Sequence, residues 1–300
     1  MIQLSGLTKD FGRTRAVDDL TCTVEPGVVT GFLGPNGAGK STTMRMIVGL
    51  DRPTAGTATV LGKRYRDLTS PLRSVGALLD ARQVHPNRTA RAHLRWLAAA
   101  NRLPATRVDE VLGLVGLAEV ANKRAGSFSL GMAQRLGIAA ALLGDPEVLL
   151  FDEPVNGLDP EGIRWVRTLM RGLAAEGRTV LVSSHLLAEM ANTADRLVVI
   201  GRGRLIAATT MAEFVARAGQ GVVRARSPQL ERLREVLTAQ GVSVQSEGEV
   251  LTVTDCPSER IGDLAAAHGI TLHELSSRQV SLEDAYLRLT DGAVDYRSVS

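Results

Sequence analysis

The sequence predicts an α/β protein with a parallel sheet, followed by a small second unit. Strand-like apolar runs alternate with segments of helical periodicity through about residue 200, which is typical of parallel β-α-β units. A glycine-rich stretch joins one of these runs to a helix, and a block of helices at about residues 85–143 interrupts the alternation. After about Gly219 the order of elements changes, which indicates that another unit begins there.

The first unit begins with strand-like segments around a turn-rich stretch that contains Asp10 and Gly12. Its predicted strands lie at residues 2–4, 21–24, 28–33, 57–61, 75–79, 148–151, 179–182 and 197–200. After the helical block, helices are predicted at residues 160–175 and 186–194.

The second unit is predicted to have the order βαββαβ plus a final helix, which indicates a ferredoxin-like α+β domain. Its strands are predicted at residues 222–225, 242–245, 250–254 and 271–275, and its helices at residues 229–240, 259–268 and 282–289. We therefore place one domain at residues 1–218 and an accessory domain at residues 219–300.

Composition argues against several classes of protein. The net charge is +3, and the basic residues are scattered and mostly arginine. Only 3% of residues are aromatic, which leaves little for base stacking, so nucleic acid is not an expected partner. Cys22 and Cys256 have no C-x-x-C spacing, so neither a disulfide nor a zinc site is expected. No apolar run is long enough to span a bilayer, so a role at a membrane would need a partner.

The glycine-rich stretch GPNGAGKST is typical of a loop that holds a nucleotide triphosphate. It consists of Gly34, Pro35, Asn36, Gly37, Ala38, Gly39, Lys40, Ser41 and Thr42. The glycines permit backbone conformations in which successive N–H groups point at phosphate oxygens, and the helix that follows aims its positive dipole end at the same anion. Lys40 supplies a compact positive charge, and the Ser41 hydroxyl suits Mg²⁺.

This loop alone is compatible with kinases, GTPases and ATPases. The residues downstream of it are needed to distinguish these classes. The apolar run VLLFDE at residues 148–153 ends in two carboxylates. Asp152 would emerge beside the loop, where it would hold Mg²⁺ directly or through water. Glu153 would then orient or deprotonate a water for attack on the γ-phosphate.

A further motif, FSLGMAQR at residues 128–135, opens a helix. Ser129 is a natural N-cap, and Gly131 allows a backbone to approach a ligand closely. Taken alone, the motif indicates a capped helix. Taken together with the phosphate loop and the two carboxylates, the motif resembles the signature sequence of the ATP-binding cassette (ABC) ATPases. The resemblance covers about the first two thirds of the chain.

The resemblance implies a P-loop NTPase core with a small N-terminal antiparallel β subdomain and an inserted helical subdomain. It implies that ATP and Mg²⁺ bind, with Lys40, Glu153 and His185 as the catalytic residues and His185 as the switch histidine that contacts the γ-phosphate. It also implies that Phe11 stacks on adenine.

The same resemblance implies a head-to-tail dimer. Ser129, Gly131 and Gln134 would then close over the ATP held by a second copy of the chain, and Asp159, in the sequence GLDP at residues 157–160, would belong to the loop through which the two copies communicate.

Two features depart from the family. Asp80 stands where the family usually has the glutamine of its Q-loop, with Gln83 nearby but out of register; a carboxylate can ligate Mg²⁺ but cannot donate an amide hydrogen bond. In the signature, Leu130 and Met132 replace the more common glycine and glutamine. We expect hydrolysis to survive both changes. With the C-terminal sequence SLEDAYLRLT at residues 281–290, they resemble the ATPase subunits of bacterial drug, antibiotic or bacteriocin-resistance exporters.

Three functional hypotheses follow. The first is the ATPase subunit of an exporter, cytoplasmic and peripheral on the inner face of the cell membrane, which drives a separate polytopic permease. The second is a soluble ABC ATPase that acts on translation or DNA-repair machinery. The third is a nucleotide-binding regulator without turnover. The C-terminal domain is expected either to regulate or stabilise the dimer or only to cap the first domain.

Overall fold

The computed structural model describes residues 1–81, 84–218, 222–254, 256–278 and Tyr286. Within these residues the chain forms two compact units, of which the first covers residues 1–211 and the second comprises the described residues from 212 onward. The domain boundary predicted between residues 218 and 219 stays a prediction, and residue 219 lies outside the described residues.

The first unit contains strands, helices and short 3-10 turns. Its strands are β1 (Ile2–Phe11), β2 (Thr14–Val24), β3 (Val29–Leu33), β4 (Ala55–Val60), β5 (Val75–Leu78), β6 (Val148–Asp152), β7 (Thr179–Ser184), β8 (Arg196–Gly201) and β9 (Arg204–Thr210). Its helices are α1 (Lys40–Ile47), α2 (Pro71–Ser74), α3 (Ala90–Ala100), α4 (Thr106–Leu114), α5 (Leu130–Leu142), α6 (Pro160–Ala175) and α7 (Leu187–Ala191), and α8 (Met211–Ala218) begins at its last residue. The 3-10 turns lie at Tyr65–Asp67 and Ala125–Ser127.

The central sheet places the ends of three strands side by side. Its strand order is β5-β6-β7-β3-β8-β9, in which β9 is antiparallel to β8 and every other neighbouring pair is parallel. All residues of β3 and β7 are buried, as their continuous runs of apolar and small residues require for strands covered on both faces. The carboxyl ends of β3, β6 and β7 therefore meet at one edge, where parallel sheets bind ligands.

A separate antiparallel sheet with the order β2-β1-β4 packs its apolar side chains into the same core. The predicted strands at residues 2–4 and 21–24 are only the outer ends of β1 and β2, which continue to a turn at Gly12. The prediction was too short because register shifts interrupt the alternation of buried and exposed residues along β1. Strand β9 was not predicted, since much of its length is exposed and its alternation is weak.

The predicted helical block is present between β5 and β6 as helices α3, α4 and α5. Each helix buries one apolar face, to which Leu94, Val111 and Leu136 contribute. These helices, the parallel sheet and the antiparallel β subdomain confirm the predicted fold class for the first unit.

The second unit has its own core. It consists of β10 (Val222–Arg226), α9 (Leu230–Ala239), β11 (Ser243–Glu247), β12 (Val250–Thr254), α10 (Ser258–Ala267) and β13 (Glu274–Arg278). The sheet order β11-β12-β10-β13, with antiparallel neighbours, is the ferredoxin-like arrangement that was predicted. The last strand begins at Glu274 rather than at residue 271.

Some predicted features lie outside the described residues. They are Gln83, the final helix at residues 282–289 and the sequence SLEDAYLRLT, apart from Tyr286. Across the part of the chain that the structure describes, no helix combines the length and the hydrophobicity needed to cross a membrane.

Candidate functional site

The glycine-rich loop joins the end of β3 to the start of α1, as predicted. Gly37 and Gly39 have φ angles of 81° and 100°, in the left-handed region that favours glycine. A Cβ at Gly39 would lie 2.5 Å from the carbonyl oxygen of Ala16, and one at Gly34 would lie 2.6 Å from that of Ile200. Neighbouring backbone therefore enforces glycine at both ends of the loop.

Lys40 is buried at the first turn of α1. Its Nζ donates hydrogen bonds to the carbonyl oxygens of Gly34, at 2.6 Å, and Pro35, at 3.3 Å, and lies 3.8 Å from Glu153 Oε1. Burial lowers the pKa of the Lys40 ammonium, and the negative charges of Glu153 and Asp152 oppose that change. The loop thus holds a cation beneath its backbone.

The two predicted carboxylates stand where β6 ends. Asp152 is the last residue of the strand, and Glu153 follows with φ 48°, a left-handed conformation that is rare for a residue with a side chain. The Ser183 hydroxyl, on neighbouring β7, donates to Asp152 Oδ1 and accepts a hydrogen bond of 2.9 Å from the backbone N–H of Glu153.

His185 completes a cluster of charged and polar groups. It follows β7, and its Nδ1 lies 3.1 and 3.0 Å from the two carboxylate oxygens of Glu153. The structure therefore brings together Lys40, at the start of α1, with Glu153 and His185, which directly follow β6 and β7. The Glu153 and His185 side chains remain partly exposed, so water can reach them.

The predicted signature segment lies at the start of α5. The Ser129 hydroxyl caps this helix by accepting a hydrogen bond of 3.2 Å from the N–H of Met132. Leu130 packs on Gly157, where a Cβ would lie only 2.1 Å from Leu130 Cδ2. A Cβ at Gly131 would lie 3.2 Å from Leu158 Cδ2. The signature segment therefore contacts the GLDP loop of its own chain.

Gln134 is buried one turn into the same helix. Its Nε2 donates a hydrogen bond of 3.1 Å to the backbone carbonyl of Glu153. The side chain is thus engaged within its own chain, and its predicted contact with the nucleotide of a second copy stays a prediction.

The remaining predicted residues stand at element ends. Asp159 caps α6, because its Oδ1 accepts a hydrogen bond of 2.7 Å from the N–H of Gly162. Phe11 ends β1 and is 49% exposed, with Lys9 Nζ 4.8 Å from its ring centroid. Asp80 is exposed just after β5, the strand beside β6.

Sequence reasoning missed the part that Ser183 plays in the site. Its hydroxyl meets Asp152 because the two residues pair across β6 and β7. That register is a property of the folded sheet. The only signal in the sequence is that the apolar run of β7 ends in two polar residues, Ser183 and Ser184.

Comparisons with known proteins agree with this geometry. The ABC transporter family matches residues 17–156, and a domain of unknown function matches residues 221–283. The bacitracin transport ATP-binding protein BcrA of Bacillus licheniformis is 34% identical over 299 residues, which cover 97% of this chain and 98% of that protein. The daunorubicin/doxorubicin resistance ATP-binding protein DrrA of Streptomyces peucetius is also 34% identical, over 99% of this chain and 94% of that protein.

A solved structure shares the fold of the first unit. It is the dimeric post-hydrolysis state of the ATP-binding cassette MJ0796 bound to ADP and Pi. It matches with a TM-score of 0.64 and 25% identity over 70% of this chain and 99% of that one. With the glycine-rich loop, the carboxylates after β6 and the histidine after β7 in place, the chain belongs to the ABC transporter family, as an ATP-binding subunit with ATPase activity.

Proposed function

We propose that this chain hydrolyses ATP at the edge of its central sheet and so drives a separate membrane permease that exports a compound. The observation that carries the proposal is the convergence of Lys40, Glu153 and His185 beside the glycine-rich loop. A buried cation, a carboxylate and an imidazole in contact are the groups that γ-phosphate hydrolysis needs.

ATP is held by the loop. Backbone N–H groups of the loop, other than at Pro35, and those at the start of α1 donate to phosphate oxygens. Lys40 exchanges its bonds to the carbonyl oxygens of Gly34 and Pro35 for bonds to the phosphates, which compensate its buried charge better than neutral carbonyls do. Phe11 stacks its exposed ring on adenine.

Hydrolysis transfers the γ-phosphoryl group from ATP to water, and ADP leaves. The Glu153 carboxylate accepts a hydrogen bond from the attacking water and takes up its proton as the new P–O bond forms. His185, held by that carboxylate through Nδ1, presents its other ring nitrogen to the γ-phosphate. Lys40 stabilises the negative charge on the departing ADP oxygen.

The donor set also fits Mg²⁺. Asp152 offers a carboxylate and Ser41 a hydroxyl, both hard oxygen ligands. Among the described residues no group of three or more His, Cys, Asp or Glu would hold a metal alone, which agrees with an ion that takes its other ligands from phosphates and water. Mg²⁺ would supply charge neutralisation at the phosphates. Asp80, after the neighbouring strand, is proposed as a further ligand.

Each ATP lies between two copies of the chain. Ser129 and Gly131 open α5, whose N-terminal N–H groups suit an anion, so they close over the ATP of a second copy. The dimeric state of the MJ0796 cassette supports this arrangement. In a head-to-tail pair both copies use the same patch, and Asp159 lies in the loop that relays loss of the γ-phosphate between the sites.

The permease contacts an apolar groove of about 410 Å³ beside α3. The groove includes Leu50 and Trp96, which are 59% and 54% exposed, and Asp80 at its edge. Large exposed apolar side chains beside a concave surface indicate a protein interface. The chain thereby sits on the cytoplasmic face of the membrane, and the names of BcrA and DrrA favour an antibiotic or a similar drug as the exported compound.

The second unit is proposed to regulate or stabilise the dimer. Its ferredoxin-like fold has a core of its own, built from residues such as Leu233, Leu251 and Ile261. None of the residues proposed for the phosphate site comes from this unit, so a role outside catalysis fits it.

Phosphate release from purified protein tests the proposed chemistry. Glu153→Gln is expected to lower turnover about 100-fold or more while ATP still binds, because the amide cannot take a proton. Glu161→Gln, which changes an exposed carboxylate at the start of α6, is the control and should turn over normally. Undiminished turnover in Glu153→Gln would remove Glu153 from this role. Co-purification with ribosomes or DNA would favour the soluble ATPase instead.

A further inference from the structure

The backbone of Glu153 adopts a conformation that is unfavourable for glutamate. Its φ of 48° lies in the left-handed region, and glutamate has a Cβ that disfavours it. Residues held in such conformations persist only where their surroundings fix them. The direction of the Glu153 carboxylate follows from this backbone, so whatever fixes the backbone also aims the carboxylate.

One contact comes from β7. Ser183 is fully buried, and its hydroxyl uses both of its hydrogen-bonding functions on neighbouring residues of the site. It accepts from the N–H of Glu153 at 2.9 Å and donates to Asp152 Oδ1. A single hydroxyl thus connects the carboxylate proposed for Mg²⁺ with the peptide that carries the proposed base.

The other contact comes from α5. Gln134 is 5% exposed, and its Nε2 donates to the carbonyl of Glu153 at 3.1 Å. The amide oxygen Oε1 has no hydrogen-bond partner among the described residues. Burying a glutamine with half of its amide unsatisfied is costly, so this position has a polar requirement that an apolar side chain would not meet.

We propose that Ser183 and Gln134 are positioning residues for ATP hydrolysis, which hold the Glu153 backbone at its N–H and at its carbonyl. The inference rests on the proposed role of Glu153. Gln134 also ties Glu153 to α5, the helix that begins with Ser129.

Ser183→Ala tests the N–H side, with Ser184→Ala as its control. Ser184 is equally buried, but its hydroxyl bonds Glu189 and Leu186. Ser183→Ala is expected to lower kcat about 10- to 100-fold, as loss of hydrogen bonds to a carboxylate and a strained peptide implies. The dissociation constant of a fluorescent ATP analogue should change less than about threefold, because the phosphate loop is untouched. Ser184→Ala should keep kcat within about threefold at a similar melting temperature.

Gln134→Met tests the carbonyl side, since methionine matches the length of glutamine but cannot donate. It should also lower kcat, by a larger factor than it weakens binding of the analogue. Because both residues hold the backbone of the same residue, Glu153, the double variant should lose less activity than the product of the single losses.

Equal kcat losses in Ser183→Ala and Ser184→Ala, or wild-type kcat in both Ser183→Ala and Gln134→Met, would overturn the inference. These results differ from failure of the proposed function, which would appear as normal turnover in Glu153→Gln.

Discussion

At the scale of single residues, a buried lysine, a glutamate and a histidine meet in the proposed ATP site. Lys40 is held by two loop carbonyls and faces the Glu153 carboxylate at 3.8 Å. His185 contacts the same carboxylate through Nδ1. Glu153 is therefore shared between a cation and an imidazole, and removal of either partner should change the direction in which the carboxylate points.

His185→Ala should separate catalysis from binding. We expect turnover to fall about 100-fold, since Glu153 loses its imidazole partner and the γ-phosphate loses a donor. ATP binding should persist, because the loop and Lys40 are unchanged. His273→Ala is the control, since this exposed histidine lies in the second unit. Phosphate release and equilibrium ATP binding measure the two effects, and wild-type turnover in His185→Ala would contradict them.

Residue types in the site could be predicted from the sequence, but their partners could not. Lys40, Glu153 and His185 each stand in a motif whose spacing along the chain is informative. Ser183 meets Asp152 through strand pairing, and Gln134 reaches Glu153 from a helix 19 residues earlier in the chain. Contacts of this kind depend on packing between elements, and local spacing carries no information about them.

At the scale of elements, the loop between β3 and α1 depends on glycines whose space is taken by neighbouring backbone. Gly39 has a φ of 100°, and a Cβ there would lie 2.5 Å from the Ala16 carbonyl oxygen. Gly177, which follows α6, has a similar φ of 88° but nothing within 4 Å of such a Cβ.

Gly39→Ala should therefore destabilise the protein more than Gly177→Ala. Left-handed backbone alone costs an alanine about 1–2 kcal/mol, which is our expectation for Gly177→Ala. Gly39→Ala adds a clash with backbone, so its loss of unfolding free energy should exceed that value. Urea denaturation followed by circular dichroism measures both. Equal losses would show that the backbone near Ala16 moves aside freely.

Substitutions at Asp159 distinguish two roles of the loop before α6, which are to cap the helix and to link two copies of the chain. Asp159→Ala should lower the free energy of unfolding by about 1 kcal/mol through loss of the cap on Gly162. Asp159→Ser keeps a capping hydroxyl and should restore most of that stability. If the loop also links two copies, Asp159→Ser should still lower ATPase activity. Wild-type activity in Asp159→Ser would show that Asp159 only caps α6 and does not link the two copies.

Elements could be predicted where burial is uniform or end signals are strong. Helix α6 was predicted from its helical pattern at residues 160–175, which are its observed bounds. In the structure Asp159 caps its start, Pro160 is its first residue and Gly177 follows its end. The hairpin of β1 and β2 and the edge strand β9 were underestimated or missed. Their exposed faces and register shifts weaken the period-two pattern on which strand prediction depends.

At the scale of the whole molecule, two separate cores imply that the first domain can be studied alone. The core of the first unit includes Phe32, Leu150 and Ile200, whereas the second unit packs Leu233 and Leu251 in another cluster. Each cluster belongs to one of the two compact units, as is expected of domains that fold on their own.

A chain that ends after residue 218 should therefore fold cooperatively and bind ATP. If the second unit stabilises the dimer, the truncated chain should also dimerise less with ATP, as sedimentation velocity would show. Dimerisation, ATPase activity and transport coupling equal to those of the full chain would refute a regulatory role. Aggregation of the truncated chain would show that the first domain needs the rest.

The central claim is that each ATP site takes its phosphate loop from one chain and its signature segment from another. Two inactive variants test it together. Lys40→Met removes the phosphate-binding cation and leaves Ser129 intact, whereas Ser129→Arg obstructs the signature segment and leaves Lys40 intact. Each variant alone is expected to lose most of its ATPase activity.

The decisive measurement is phosphate release from an equimolar mixture of these two variants. Random pairing places one complete site in about half of the dimers, so the mixture should recover about a quarter of the wild-type activity per chain. A mixture of Lys40→Met with Glu153→Gln is the control. Both changes lie in the same half of a site, so chains that exchange partners in this mixture form no complete site. A mixture of Lys40→Met and Ser129→Arg no more active than the average of its two components would contradict a site shared between two chains.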